Sequence, residues 1–94
     1  MFKLSEQAYQ QYKNSVKDRE NVTFEDAQLI LNRNIILSDR FDNKFYIRFY
    51  YGKLLIFLHK ETNIITWIKN HTRHNGVPDK LKKKLLNQML GIGE

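Results

Sequence analysis

Leu4, Ala8, Tyr12 and Val16 recur at every fourth position, with Tyr9 beside them and Glu6, Gln10, Lys13 and Lys17 on the other faces. That spacing predicts an amphipathic helix over about residues 4–19. If Ser5 is its cap, the helix starts one turn later. Asn21-Val22-Thr23 interrupts the pattern, and Thr23 with Asp26 three positions on resembles a capping box. A second helix is expected from Phe24 to about Asn32, with Phe24, Ala27, Leu31 and Ile30 toward the core. Ile35-Ile36-Leu37 reads as a short first strand, and Ser38 to Lys44 as a polar turn region.

The strongest segment follows. Phe45 to Tyr51, Leu54 to Lys60 and Ile64 to Lys69 are rich in β-branched and aromatic residues, and Gly52-Lys53 and Glu61-Thr62-Asn63 separate them. They predict an antiparallel meander. Leu54 to Leu58 is apolar without alternation, as expected of a central strand covered on both faces. Asn70 to Val77, which contains Asn75-Gly76, reads as a loop. Pro78 and Asp79 suit the first turn of a last helix, whose buried side is Leu81, Leu85 and Met89 with Leu86 and Leu90 beside them. Lys80, Lys82, Lys83 and Lys84 fall mostly on its other faces, and Gly91 stops it. The expected fold is a single α+β domain over residues 1–94: two N-terminal helices, a three- to four-stranded antiparallel meander sheet and a C-terminal helix.

A two-residue turn at Gly52-Lys53 fixes which side chains share a face. Tyr51 then faces Leu54, Phe49 faces Ile56 and Ile47 faces Leu58 on one side, while Arg48 faces Phe57 and Tyr46 faces His59 on the other. If the second turn is also even, for instance Thr62-Asn63, Thr66 comes opposite His59. Tyr46, His59 and Thr66 then form a row across three strands, with Arg48 and Tyr50 beside it. A single bulge or an odd turn removes the row. Trp67, alternating with Thr66, is expected in the core.

That surface combines a cation, two phenols, an imidazole and a hydroxyl. The set suits RNA, because arginine holds phosphate, aromatic rings stack on splayed bases and histidine moves a proton near neutral pH. It also fits an ordinary exposed sheet face. His71, Arg73 and His74 form a second group. The Asn-Gly that follows argues for a loop rather than the helical spacing a shared metal needs, so no metal is expected there. Phosphate contact by Arg73 with His71 or His74 as proton donor is one reading of this group, and a solvated basic loop is another. No cofactor fingerprint or Walker loop occurs.

Charge narrows the class of partner. The 94 residues carry 16 Lys and Arg against 10 Asp and Glu, a net +6. The excess gathers in residues 69–84, where Lys69, Arg73, Lys80, Lys82, Lys83 and Lys84 meet only Asp79. An anionic partner is expected, either nucleic acid or an acidic protein, although a lysine-rich face also serves solubility alone. The chain has no cysteine, which excludes disulfides, thiolate metal sites and a cysteine nucleophile. No apolar run reaches signal-peptide or membrane-spanning length, so a cytoplasmic protein with no membrane contact is expected.

The order of these parts resembles the barnase, EndoU, colicin and RelE group of small RNases, most nearly its short bacterial and phage toxin branches. The likeness covers about residues 5–69. It rests on a first helix ending in Lys17-Asp-Arg19, on Val22-Thr-Phe-Glu-Asp-Ala27 opening a second, and on a late strand reading Ile64-Ile-Thr-Trp67. It implies a metal-independent endoribonuclease in which the ribose 2′-hydroxyl attacks the adjacent phosphate. Carried over by position, Thr66 is the hydroxyl residue of the late strand and Arg19 the basic residue after the first helix. Arg48 would be the cation on phosphate, His59 the acid or base and Tyr46 a stacking or relay partner. Tyr50, His71, Arg73, His74, Lys80 and Lys83 would contact nucleic acid, and an antitoxin or immunity protein would be the natural partner. Members of the nearest branches often carry a histidine in the first helix, and this helix has none. A non-catalytic basic module that binds nucleic acid or an acidic protein is the alternative.

Overall fold

The chain forms, in order, β1 (Lys3–Leu4), α1 (Glu6–Ser15), α2 (Phe24–Leu37), β2 (Asp39–Asp42), β3 (Tyr46–His59), β4 (Ile64–Asn75) and α3 (Lys80–Leu90). The structure, a computed structural model, describes residues 1–75 and 79–93, with only the backbone of residues 72–75. Pro78 and the Gly76-Val77 pair before it lie outside the described residues. Ser5 is the cap of α1, its Oγ accepting from the Ala8 amide at 3.1 Å, so the later of the two expected starts is the one adopted. The helix also ends earlier than its periodicity suggests, because Val16 is already extended and Asp18 sits in the left-handed region at φ 64°.

Thr23 caps α2 through the Asp26 amide, as the capping pattern predicts. The helix does not stop near Asn32. Ile35-Ile36-Leu37, expected as a strand, forms its last turn, and the first meander strand is instead the polar β2. The helix can continue because its polar residues find partners. Asn32 accepts from the Phe2 amide (2.7 Å) and donates to the Phe2 and Gln28 carbonyls (2.9 and 2.8 Å). Ser38 closes the end by donating its hydroxyl to the Asn34 carbonyl.

The sheet has the strand order β1-β4-β3-β2. It is mixed rather than purely antiparallel, since β1 runs parallel to β4 with Lys3 beside Ile64. Fully extended, the 14 residues of β3 would span about 46 Å, more than the 34 Å long axis of the molecule. The segment doubles back at Gly52-Lys53. The Lys60 amide donates to the Phe45 carbonyl at 3.0 Å, and the rings of Tyr46 and His59, at opposite ends of β3, lie 5.4 Å apart. Gly52 has φ 57°, a value that glycine adopts without the strain of a side chain. The expected hairpin is thus present, with its first limb paired to β2 and its second to β4.

Beyond it, two expectations fail. His59 pairs with Ile64 across a four-residue turn, and a bulge then sets Phe57 opposite Trp67 and Leu58 opposite Ile65, leaving Thr66 as the extra residue. The row Tyr46–His59–Thr66 is therefore broken. The strand also runs on through Asn70 to Asn75, which the sequence suggested was loop, and pairs Asn75 with Gly52.

Helices α1 and α2 cover one face of the sheet. Ala8, Tyr12, Ala27, Ile30, Leu31 and Ile35 bury Ile47, Phe49, Leu54, Ile56, Leu58, Ile65 and Ile68. The outer edge of β4 is closed without a long strand. After β1 ends, the Ser5 amide donates to the Ile65 carbonyl (3.0 Å), Gln11 of α1 accepts from the Ile68 amide (2.7 Å), and Asn70 donates to the Ser15 carbonyl (2.8 Å). Helix α3 packs chiefly on α2, capped by Asp79 and ended by Gly91 in the left-handed conformation (φ 71°). Its expected buried side is only half right: Leu86 and Leu90 are half-buried, but Leu81, Leu85 and Met89 are 68, 51 and 80% exposed.

Candidate functional site

Helices α1 and α2 pack on the one face only; on the other Leu55 is buried by its neighbours and Phe57 half-buried, and the hairpin register decides what else lies there. Phe41 pairs with Arg48 and Phe57 with Trp67, while the turn at Gly52-Lys53 sets Arg48 opposite Phe57. Phe41, Arg48, Phe57 and Trp67 thus form one row across the sheet. Phe41 is 50% and Trp67 44% exposed, so Trp67 belongs to this face and not to the core. The bulge is the reason: it advances β4 by one position and turns Trp67 outward.

Further rings lie alongside this row. Tyr46 stands edge-on to Phe57 and His59, Tyr50 edge-on to Phe41 and His71, at centroid distances of 5.0–6.1 Å. Lys69 Nζ lies 6.0 Å from the Phe57 ring, and Lys44 Nζ 5.4 Å from that of the exposed Phe45 at the rim.

Of the residues expected to share a site, Tyr46, Arg48, Tyr50 and His59 do come together here. Arg48 donates from Nη1 to the Tyr50 hydroxyl at 3.5 Å, and His59 Nδ1 lies 3.3 Å from Thr62 Oγ1. Arg48 Nε and Thr66 Oγ1 are buried and have no hydrogen-bond partner among the described residues. His71 reaches the Gly52 carbonyl at 3.1 Å; an acceptor there places the proton on Nε2. The side chains of Arg73 and His74 lie outside the described residues. Lys80 is exposed at the start of α3.

Arg19 and Lys83 are elsewhere. They line a cleft on the helix side, about 380 Å³ in volume, between the end of α1, α2, the β3 turn and α3. Arg19 therefore does not join Arg48 and His59. Lys17, Arg33 and Lys53 complete the basic lining, and Tyr12, Tyr51, Asn34 and Asn70 add polar groups. Arg33 is only 2% exposed. Its guanidinium donates to Asn34 Oδ1 (3.2 and 2.8 Å) and Asn87 Oδ1 (2.9 Å). Burial lowers its pKa, and the nearby Arg19 adds to that, while Tyr51 and Tyr12 oppose it. Burial likewise raises the Tyr12 phenol, against the pull of Arg19 and Arg33.

Sequence reasoning passed over Arg33, Tyr51 and Lys53. Asn32-Arg33-Asn34 lies between Leu31 and Ile35, the i, i+4 spacing at which an amphipathic helix turns the intervening residues to solvent, so the sequence carried no sign of their burial. All three are buried.

No helix among the described residues is long and apolar enough to cross a membrane. No curated protein and no solved structure matches the chain significantly. The YorE family model matches residues 2–90, nearly the whole length, and the chain belongs to the YorE family.

Proposed function

We propose that this protein binds single-stranded nucleic acid, with RNA as the preferred class, on the aromatic sheet face that exposes Phe41 and Trp67. The observation that carries this reading is the row Phe41–Arg48–Phe57–Trp67, flanked by Tyr46, Tyr50, His59 and Lys69. Strand spacing of about 4.8 Å presents rings at intervals suited to unstacked bases, and cations set among them hold the connecting phosphates. A duplex keeps its bases stacked and gains little from such a surface. The net charge of +6 favours the same partner.

Trp67 is the only tryptophan, so its fluorescence reports directly on this face. Titration with short RNA strands should quench it, and the affinity should fall steeply as salt rises. Trp67→Ala, followed by fluorescence anisotropy of a labelled strand, should weaken binding about 5- to 150-fold, the range for loss of one stacked base. Unchanged affinity in both Trp67→Ala and Phe41→Ala would remove the sheet face as the binding surface.

A second reading adds cleavage to binding, and one observation favours it: His59 and Arg48 stand on adjacent rows of that face, with Tyr46 between the His59 and Phe57 rings. In it, Arg48 holds the phosphate while His59 moves a proton for attack by the 2′-hydroxyl. RNA should then be degraded in the presence of a chelator, and Arg48→Ala with His59→Ala should abolish this. Undiminished cleavage by the double variant would refute the catalytic assignment without touching the binding one.

A further inference from the structure

Helix α3 carries two apolar sides, and only one of them is used within the chain. Leu86 and Leu90 are half-buried and Asn87 is buried, whereas Leu81, Leu85 and Met89 are each more than half exposed. At 3.6 residues per turn, the exposed three follow one line along the helix, turned away from the packed three. That line runs over two turns, about 12 Å. Solvent would accept polar residues at all three positions, and contiguous apolar exposure rimmed by charge marks an interaction surface.

The rim of charge narrows what can cover the stripe. Lys80 and Lys84 flank it on one side and Lys82 on the other, all three exposed, and α3 contains no Asp or Glu. With Leu81 and Leu85 as positions d and a of a heptad, Lys82 and Lys84 are the e and g positions, whose charges choose the partner of a packed helix pair. Lysines there call for carboxylates opposite. The seam is short, since the next d position is Gln88 with Met89 beside it at e. A second copy would bring together two helices that each hold four lysines and no acid, which like-charge repulsion opposes. A bilayer is also a poorer match: three side chains offer less apolar surface than one myristoyl chain, which alone holds only marginally. Nucleic acid would engage the lysines and leave the leucines in water.

We infer that this stripe is the docking surface for a short amphipathic helix of another protein, with apolar side chains along its seam and Glu or Asp on both flanks. The platform is fixed before such a partner arrives. Asp79 Oδ1 accepts from the Leu81 and Lys82 amides (3.0 and 3.1 Å), Gly91 ends the helix, and Asn87 Oδ1 accepts from Arg33 Nη1 at 2.9 Å. Docking therefore orders little beyond the exposed side chains themselves. The inference stands apart from the function proposed for the sheet face, because the two surfaces have no residue in common.

Two fluorescein-labelled three-heptad peptides test it by anisotropy against the full chain, both with Leu at a and d, one with Glu and the other with Lys at e and g. Saturable binding of the Glu peptide and none of the Lys peptide is expected. Leu81→Gln with Leu85→Gln should weaken the binding about tenfold or more while melting at the wild-type temperature, because both positions are exposed. Lys82→Glu with Lys84→Glu should exchange the preference, losing the Glu peptide and taking the Lys peptide. Trp67→Ala should leave peptide binding unchanged, which separates it from the sheet-face reading. Absence of saturable binding by the Glu peptide, equal affinity for both peptides, or undiminished affinity in the leucine double variant would overturn the inference. So would a dimer in sedimentation velocity that the leucine double variant dissociates, which assigns the stripe to a second copy. Flotation with phosphatidylcholine and phosphatidylserine vesicles (about 7:3) that the same variant abolishes would overturn it in favour of a bilayer.

Discussion

Tyr12 lies 2% exposed beneath the basic cleft, a phenol in the core with guanidinium groups as neighbours. Burial favours its neutral form and raises its pKa above the ordinary value of 10.0, and the attraction of Arg19 and Arg33 for the phenolate only partly offsets this. The unfolded chain therefore loses this proton first. Stability from the neutral phenol is fully present below about pH 10 and is lost as pH rises toward the folded value. The urea midpoint of the wild type should thus fall more steeply between pH 9 and 11 than that of Tyr12→Phe, which keeps the ring and cannot ionise. Parallel curves for the two proteins would show that Tyr12 is not the group responsible.

At the scale of elements, the β3 turn sets the positions of both surfaces. It brings Arg48 opposite Phe57 on the aromatic face and carries Lys53 into the cleft. Gly52 holds φ 57°, and a Cβ added there would meet nothing within 4 Å. Gly52→Ala should consequently cost only the left-handed strain, about 1–2 kcal/mol, measured by chemical denaturation; no loss would contradict the turn geometry. This turn was legible in the sequence because glycine beside a polar residue, between two apolar runs, has few other uses. Ser5, Thr23, Asp79 and Gly91 were legible for the same reason: each meets a local need at a helix end. What escaped depends on contacts distant in sequence. Ile35-Ile36-Leu37 satisfies helix and strand equally, and Phe2 and Asn87, far along the chain, provide the partners that let α2 continue past Asn32 and Arg33. The bulge at Thr66 has no residue signature, so the expected Thr66 row and the expected burial of Trp67 failed together. The spacing of Leu81, Leu85 and Met89 announced an apolar stripe correctly and could not say that it would point outward.

In the whole molecule, one sheet face and one edge are secured by the same N-terminal segment. Asn32 pairs with both backbone groups of Phe2, and Gln28 accepts from the Leu4 amide at 3.0 Å, so α2 fastens β1 in place. Asn32→Leu should lower stability by about 1–3 kcal/mol, the usual result of leaving backbone groups without their buried partner. Hydrogen exchange of the Leu4 and Ser5 amides should accelerate by more than that global loss accounts for, whereas the amide of central Ile56 should follow the global loss alone. Uniform acceleration would mean that β1 is held by other means.

The closure of the β4 edge by Ser5, Gln11 and Asn70 also bears on how copies of this chain meet. A sheet with exposed aromatic rings on one face is a hazard at high concentration, because an open strand margin can recruit an identical strand and propagate. Here β1 pairs with the start of one margin, and Ser5 and Gln11 engage the Ile65 carbonyl and the Ile68 amide beyond it. The other is the short, charged β2 with Asp39, Arg40 and Asp42, and charges on a short edge strand disfavour its extension by a further strand. Strand addition is thus disfavoured at β2 and at the start of β4, so the exposed rings of Phe41 and Trp67 sit above strands that are poor templates there.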